Sequence, residues 1–305
     1  MLKEQILSLF HGKIRGAMEA AVSDFENLQE IRIRAGQPVI FLQNGEETFL
    51  YEKITIKDIK SVIEAACGYS GYAYEEEISR GYITIEGGHR VGLTGRAVLK
   101  DQELQTIKHV SALNIRVAHP ILGCARRWKS YLYKEGRPCH VLIISPPGCG
   151  KTTLLRDVIR IFSEGDEKNT GLTVGVVDER SEIAGTYRGM ATHDLGMRTD
   201  VMDGCPKTLG MEMLLRTMNP KVLAVDEIGT GDVPAIENAL RCGCRMLATL
   251  HGECMEDYFG KPGFASLVKE QVFERYIFLK QGQKPGQVAA IYGKGFETLW
   301  EDVCT

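Results

Sequence analysis

The chain has 305 residues, room for two domains of ordinary size, and 44% of them are hydrophobic, which permits a sizeable core and excludes a disordered chain. A net charge of −3 and a pI near 6.2 argue against a nucleic-acid coat or an anionic-membrane binder, although local basic patches are compatible with both values. No stretch approaches the roughly 18 apolar residues of a membrane span. The opening M-L-K-E-Q-I-L-S-L-F-H-G-K is not a secretory signal and has the apolar spacing of a short amphipathic helix. Nine cysteines, an odd number without disulfide-scaffold spacing, point to reduced thiols in a cytosol.

In chain order, L-Q-E-I-R-I-R-A-G-Q-P-V-I-F-L-Q-N-G-E-E alternates as strands do, with Ile31 and Ile33 facing one way and Arg32 and Arg34 the other. Gly36 and Pro38 interrupt it, and Asn44-Gly45 is a hairpin-turn dipeptide. Between Lys57 and Cys67, the residues Ile59, Val62, Ile63 and Ala66 share one helical face. Gly81 to Leu99 predicts two strands joined at Gly87-Gly88, and Leu113 to Val117 a further short strand. Residues 1–120 therefore predict a small α+β domain. A linker helix carrying Arg126, Arg127 and Lys129 is expected over 121–138.

From Cys139 the texture becomes strand, loop, helix, strand, and residues 139–305 predict a second, α/β domain. Val141–Ile144, Thr173–Val177, Val222–Val225 and Arg245–Leu250 are short apolar strands with polar residues at their carboxyl ends. Such alternation indicates a parallel-rich sheet covered by helices, in which ligands collect at the carboxyl ends of strands.

The first of these strands runs into Ser145-Pro146-Pro147-Gly148-Cys149-Gly150-Lys151-Thr152-Thr153. A phosphate loop reads G-x-x-x-x-G-K-[ST], with its lysine on the β/γ-phosphates and its hydroxyl on Mg²⁺. Gly150, Lys151 and Thr152 fit, Gly148 supports the turn, and the helix start near Lys151 would face the anion. Ser145 occupies the first glycine position and is small enough for the loop to form.

A phosphate loop needs a second, acidic strand, and K-V-L-A-V-D-E supplies it: Asp226 to hold Mg²⁺ through water, Glu227 to orient or deprotonate the attacking water. V-G-V-V-D-E-R-S-E ends a neighbouring strand with Asp178, Glu179 and Glu182, which together would line the catalytic cleft; each alone reads nearly as well as a surface charge. L-A-T-L-H-G places the Thr249 hydroxyl and the His251 imidazole where a sensor of the γ-phosphate would sit. Cys242, Cys244, His251 and Cys254 offer four zinc-type ligands, but their spacing matches no standard finger, and small buried thiols are the simpler reading.

The order of phosphate loop, acidic box, L-R-T-M-N-P-K-V-L-A-V-D-E-I and A-T-L-H-G resembles the type II/IV secretion ATPases. E-I-R-I-R-A-G-Q-P-V-I-F-L-Q-N-G-E resembles the opening of their N-domain, so the likeness spans nearly the whole chain. The resemblance implies a RecA-like, AAA+-like P-loop core with a parallel-rich sheet, preceded by the α+β domain. It places Asp178, Glu179 and Glu182 in the acidic box, with Asp178 beside Thr152 and Asp226 on Mg²⁺. Lys151, Glu227 and His251 join Glu179 and Glu182 as catalytic candidates. Asp-Glu stands where many of these ATPases have Gly-Glu, and no docking domain or cysteine-zinc module is visible.

Within that superfamily, G-G-H-R-V-G-L-T-G-R, S-A-L-N-I-R-V-A, I-I-S-P-P-G-C-G-K-T-T-L-L-R-D, V-V-D-E-R-S-E-I-A-G and R-T-D-V-M-D-G-C-P-K are similar to the stage III sporulation AA family, whose pattern includes the S-P-P-G loop. The implied protein is an ATPase using ATP and Mg²⁺, a hexameric ring energising a secretion-like channel between mother cell and forespore. It would be cytoplasmic, held at the forespore membrane by membrane proteins of the channel complex. Arg90, Arg96 and Arg116 are candidate arginine fingers, a role that solvated strand arginines would equally mimic. Two other readings remain open at this point: a nucleic-acid-stimulated RecA-like ATPase, against which the acidic pI counts, and a nucleotide-gated scaffold without turnover.

Overall fold

The computed structural model describes residues 2–68, 75–79, 81–100, 103–282 and 284–302. The chain folds as two compact units, Met1–His119 with Gly185–Thr192, and Pro120–Ala184 with His193–Thr305.

The first unit opens with α1 (Leu2–Leu7) and α2 (Gly12–Ala21), then β1 (Leu28–Arg34), β2 (Val39–Gln43) and β3 (Glu46–Leu50). Asn44 and Gly45 both take positive φ between β2 and β3, the conformation that a two-residue hairpin requires. Next comes α3 (Ile56–Ala66), started by a capping box in which Thr55 and Asp58 satisfy each other's backbone amides. After α4 (Glu75–Ser79), β4 (Tyr82–Ile85) and β5 (His89–Lys100) form a hairpin through Gly87-Gly88, and β6 (Glu103–Arg116) completes an antiparallel sheet of order β3-β2-β1-β6-β5-β4. Ile31, Ile33, Val39, Phe41, Val91 and Ile115 bury one face in a core shared with Ile6 and Leu7 of α1 and Ile59 and Val62 of α3. On the other parity, Arg32, Arg34 and Arg116 are exposed, as period-two alternation demands.

The strand over Leu113–Val117 is much longer than its sequence signal, because β6 pairs with β5 out to Lys100↔Glu103. In that outer half of β6 the apolar residues Leu104, Ile107 and Val110 are half-buried at uneven spacing, and Lys108 lies exposed opposite Arg96, so no regular alternation marks it. A register shift falls at Gly95, where a Cβ would lie 2.7 Å from the Lys108 carbonyl oxygen.

The second unit begins differently from the expected linker helix over 121–138. Arg126–Tyr131 is a short 3₁₀ helix, followed by the two-stranded hairpin of β7 (Tyr133–Lys134) and β8 (Arg137–Pro138). The segment is fixed by side-chain anchors, not by helical length. The buried Asp157 carboxylate accepts from the Gly123 and Ala125 amides at 2.9 and 2.7 Å, and the Trp128 ring meets that of Trp300 at 4.4 Å.

Then follow β9 (Val141–Ser145), α5 (Lys151–Glu164), β10 (Val174–Asp178), β11 (Thr199–Asp203), α6 (Lys207–Thr217), β12 (Val222–Val225), α7 (Val233–Arg241) and β13 (Arg245–His251). The short helices α8 (Glu256–Phe259) and α9 (Ala265–Lys269) precede β14 (Arg275–Leu279), β15 (Val288–Tyr292) and β16 (Thr298–Glu301). The eight strands lie in the order β11-β10-β12-β13-β9-β14-β15-β16, parallel from β11 to β14 and antiparallel beyond. On one face Leu154, Leu155, Val158 and Phe162 of α5 cover Val141, Ile143, Val176 and Ala224. On the other, Met211, Leu214, Ile236 and Leu267 of α6, α7 and α9 cover Leu142, Ile144, Leu223 and Val225. Burial on both faces explains why these strands read as unbroken apolar runs. The architecture is α/β with a mostly parallel sheet, preceded by an antiparallel-sheet unit.

Candidate functional site

Parallel pairing brings four polar strand ends to one edge of the second unit's sheet: Ser145 ends β9, Asp178 ends β10, His251 ends β13, and Asp226 directly follows β12. Ser145 and His251 are register partners.

Between β9 and α5, Gly148 (φ +76°) and Gly150 (φ +89°) are left-handed. A Cβ on Gly150 would lie 2.3 Å from the Gly286 amide nitrogen, so both conformation and space require glycine there. The Gly286 amide donates to the Cys149 carbonyl at 2.8 Å and pins the loop from above. Pro146 and Pro147 carry no N–H, so the loop's backbone donors begin at Gly148. No side chain caps the start of α5, which leaves its first amides open to an anion. The buried Lys151 ammonium donates to the carbonyls of Ser145 and Pro146 at 3.0 and 3.1 Å. Ser145 Oγ donates to the Pro146 carbonyl at 2.9 Å, and the Thr153 carbonyl accepts from Cys124 Sγ.

Thr152 Oγ1 donates to Asp226 Oδ2 at 2.6 Å. The other Asp226 oxygen accepts from the Thr249 hydroxyl and from the Glu227 amide. Thr249 is fully buried and also accepts from the Glu227 amide at 2.8 Å. Glu227 has φ +50°, a left-handed conformation uncommon for such a residue. Its carboxylate lies 3.3 Å from Arg180 Nη1, and its carbonyl accepts from Lys207 Nζ at 2.9 Å.

Asp178 plays a part other than the expected one on Mg²⁺. Its carboxylate is buried and accepts from the amides of Glu182, Ile183 and Ala184 at 2.7, 3.0 and 2.7 Å. Burial pushes its pKa up to about 6, against these three bonds, which favour the ionised form. Asp178 therefore shapes the acidic loop, and Arg156 of α5 holds the same loop through the Glu182 and Ile183 carbonyls. Glu179 reaches Lys207 at 3.3 Å. Glu179 and Glu182 line, with Asp178, Lys207, Asp226 and Glu227, a cleft of about 300 Å³. His251 is exposed at the end of β13, and no hydrogen bond to its ring is found among the described residues.

Beside the phosphate-type loop, a recess of about 970 Å³ is bounded by Cys124, Arg127, Trp128, Lys284 and Trp300. The Arg127 guanidinium lies over Trp128 and Trp300, 4.8 and 5.4 Å from their ring centroids.

Arg90, Arg96 and Arg116 belong to the antiparallel sheet of the first unit. Arg90 and Arg116 are cross-strand partners, Arg90 covers the Tyr82 ring at 4.6 Å, and Arg96 lies opposite Lys108. Among the described residues no group of three or more His, Cys, Asp and Glu side chains gathers to hold a metal. Within the zinc-type set, Cys244 is buried, donating to the Pro220 carbonyl, while Cys242 and Cys254 are exposed.

Sequence reasoning places the Thr249 hydroxyl beside His251 in a γ-phosphate sensor, not on Asp226 and the Glu227 amide, and assigns no role to Lys207. Thr249 carries a signal, as a hydroxyl inside an apolar strand beside the acidic one. Lys207 carries none, since a lysine at a helix start is ordinary.

The arrangement matches known folds. Over 87% of this chain and 74% of the other, it superposes on the Legionella pneumophila ATPase DotB with a TM-score of 0.57 at 16% identity. With the pilus retraction motor PilT carrying bound ADP, the TM-score is 0.60 at 14% identity, over 98% of this chain and 84% of the other. At these identities the likeness is one of fold: a RecA-like core with an N-terminal antiparallel-sheet domain. In sequence, the chain is 40% identical over 273 residues to stage III sporulation protein AA of Bacillus subtilis (strain 168), covering 89% of each. The family model described as sporulation stage III, protein AA, matches residues 1–299, and the chain belongs to that family.

Proposed function

We propose that the chain is a Mg²⁺-dependent ATPase which, as a hexameric ring on the cytosolic side of a membrane, energises a secretion-like channel between mother cell and forespore. The observation that carries this reading is the Thr152–Asp226 hydrogen bond beside a buried Lys151, with Glu227 next in sequence. ATP would draw the Lys151 ammonium from the Ser145 and Pro146 carbonyls onto its β/γ-phosphates, while amides from Gly148 onward take the remaining oxygens. Pro146 and Pro147 shape the loop, and Thr153 continues the first turn of α5.

The Thr152 hydroxyl and the Asp226 carboxylate are the hard oxygen ligands that Mg²⁺ prefers. Bound there, the ion would supply charge neutralisation on the β- and γ-phosphates. Glu227 orients the attacking water and accepts its proton, His251 senses the γ-phosphate, and Glu179 and Glu182 set the field of the cleft. Asp178 acts one step back, by holding the acidic loop. The recess by Trp128 and Trp300 adjoins the loop and would take the base. Arg90, Arg96 and Arg116 are the cationic groups from which a neighbouring subunit would contribute a phosphate contact.

The sporulation relative and the ADP-bound pilus motor support the channel reading and the nucleotide. No described helix is long and apolar enough to cross a membrane. In this reading the ring is held at the forespore membrane by membrane partners of the complex. An ATPase assay run beside mass measurement, with and without Mg·ATP, tests the proposal. Turnover that rises with ring formation is expected. Binding without turnover would favour the scaffold, and turnover stimulated by single-stranded nucleic acid would favour a nucleic-acid motor.

A further inference from the structure

Glu227 is held by its peptide, not only by its side chain. Its amide donates to Thr249 Oγ1 at 2.8 Å, its carbonyl accepts from Lys207 Nζ at 2.9 Å, and between them the residue keeps φ +50°. A left-handed glutamate is an uphill conformation that persists only where its surroundings impose it. Lys207 is placed to impose it. It is the first residue of α6, only 17% of its side chain is exposed, and its ammonium also faces Glu179 at 3.3 Å and Asp232 at 3.8 Å. Asp232 in turn accepts from the Gly229 amide at 2.8 Å, two residues beyond Glu227. One cation thus joins the acidic loop after β10, the carbonyl of Glu227 and the turn leading into α7.

We propose that Lys207 is a positioning residue for hydrolysis, fixing the Glu227 peptide so that its carboxylate stays directed into the cleft; this rests on the reading of Glu227 as the hydrolytic base. Lys207 carries no proton in the reaction and binds no nucleotide. Removing its ammonium should leave nucleotide affinity intact while letting the Glu227 peptide relax. A misplacement near 1 Å at a reacting group lowers rates by about a hundredfold.

The test uses the full chain with Mg·ATP, measuring nucleotide affinity by titration and hydrolysis by single turnover. Lys207→Met is expected to bind ATP within about twofold of the wild type and to hydrolyse it tenfold to a hundredfold more slowly. Lys207→Arg, which keeps a charged donor, should restore part of the loss. The deciding measurement is the double variant Lys207→Met/Glu227→Gln. If Lys207 acts through Glu227, the pair hydrolyses no more slowly than Glu227→Gln alone; multiplying losses overturn the proposal. A Lys207→Met chain that turns over at the wild-type rate overturns it while leaving the ATPase reading intact, whereas a wild-type ring without turnover ends both. Should Lys207→Met fail to fold, Lys207→Gln, of similar polarity but uncharged, carries the same comparisons.

Discussion

Thr152 and Asp226 meet at 2.6 Å although 74 positions separate them in sequence and β13 lies between β9, which leads to Thr152, and β12, which leads to Asp226. The hydrogen bond joins the first turn of α5 to the end of β12, so two of the oxygens that a hard cation requires are already adjacent. The second Asp226 oxygen is tied to Thr249 and the Glu227 amide, which fixes the carboxylate's orientation. Thr152→Val removes one oxygen and keeps the shape. ATP affinity measured with Mg²⁺ should fall at least about tenfold, while affinity measured in EDTA should not change. Equal losses in both titrations would mean that Thr152 supports the loop and not the cation.

In the proposed mechanism Lys151 serves binding and Glu227 serves chemistry. Lys151→Ala should abolish nucleotide binding, because the ammonium is the cradle's one buried charge near the loop carbonyls. Glu227→Gln should keep ATP and lose turnover by about two orders of magnitude or more. Titration and single-turnover hydrolysis on the same two preparations read both outcomes, and wild-type turnover in Glu227→Gln would remove it as the base.

Thr249→Val tests the hydroxyl buried within β13. The substitution conserves volume and deletes a group that serves both Asp226 and the Glu227 amide, leaving that part-buried amide only its 3.1 Å bond to Asp226 and the Asp226 carboxylate one donor fewer. A stability loss of about 1–3 kcal/mol by chemical denaturation is expected, with slower hydrolysis at little-changed ATP affinity. A rate equal to that of the wild type would make Thr249 purely structural.

Much of this is legible in the sequence because it is carried by local signals. The phosphate loop follows an apolar strand and opens a helix, and the polar strand ends share an edge once the strands are parallel. Asp178 shows where legibility ends: an acid at a strand end looks the same whether it faces a cation or three amides, and only the fold of residues 179–184 decides. Lys207 and Arg180 are equally hidden, since their partners on Glu227 are distant in sequence. The outer half of β6 is illegible for another reason. It pairs only with β5, and Leu104, Ile107 and Val110 are half-buried at irregular spacing, which leaves no clean apolar period.

Asp178 makes a prediction about pH. Its folded pKa, about 6, lies above the ordinary value of 3.8. The folded protein therefore keeps this proton over a range where the unfolded chain has lost it. The stability it contributes is fully present below pH 3.8 and is lost as pH rises through about 6, by up to about 3 kcal/mol. Urea denaturation across that window should show a decline in the wild type that Asp178→Asn lacks. The variant should also be less stable at neutral pH, since one carboxamide oxygen cannot serve three amides and its NH₂ would face donors. Parallel pH profiles for the two proteins would assign the titration to another group.

Within the proposed ring, Arg116 is a candidate for the contact that one subunit makes to its neighbour's nucleotide. It is exposed on β6, side by side with Arg90 of β5 and far in sequence from the phosphate loop. An arginine that reaches a phosphate from a neighbouring subunit is worth about a thousandfold or more in turnover and little in binding. Arg116→Ala should thus bind ATP as the wild type does and lose turnover in the assembled ring. Mixing decides between a phosphate contact within one subunit and one made across subunits. Arg116→Ala chains keep an intact cradle, Lys151→Ala chains keep an intact Arg116, and neither ring should turn over alone. Rings assembled from both should regain activity if the arginine acts across the interface. Mixed rings as inactive as their parents would place the needed cation elsewhere, with Arg90 and Arg96 the next residues to exchange in the same experiment.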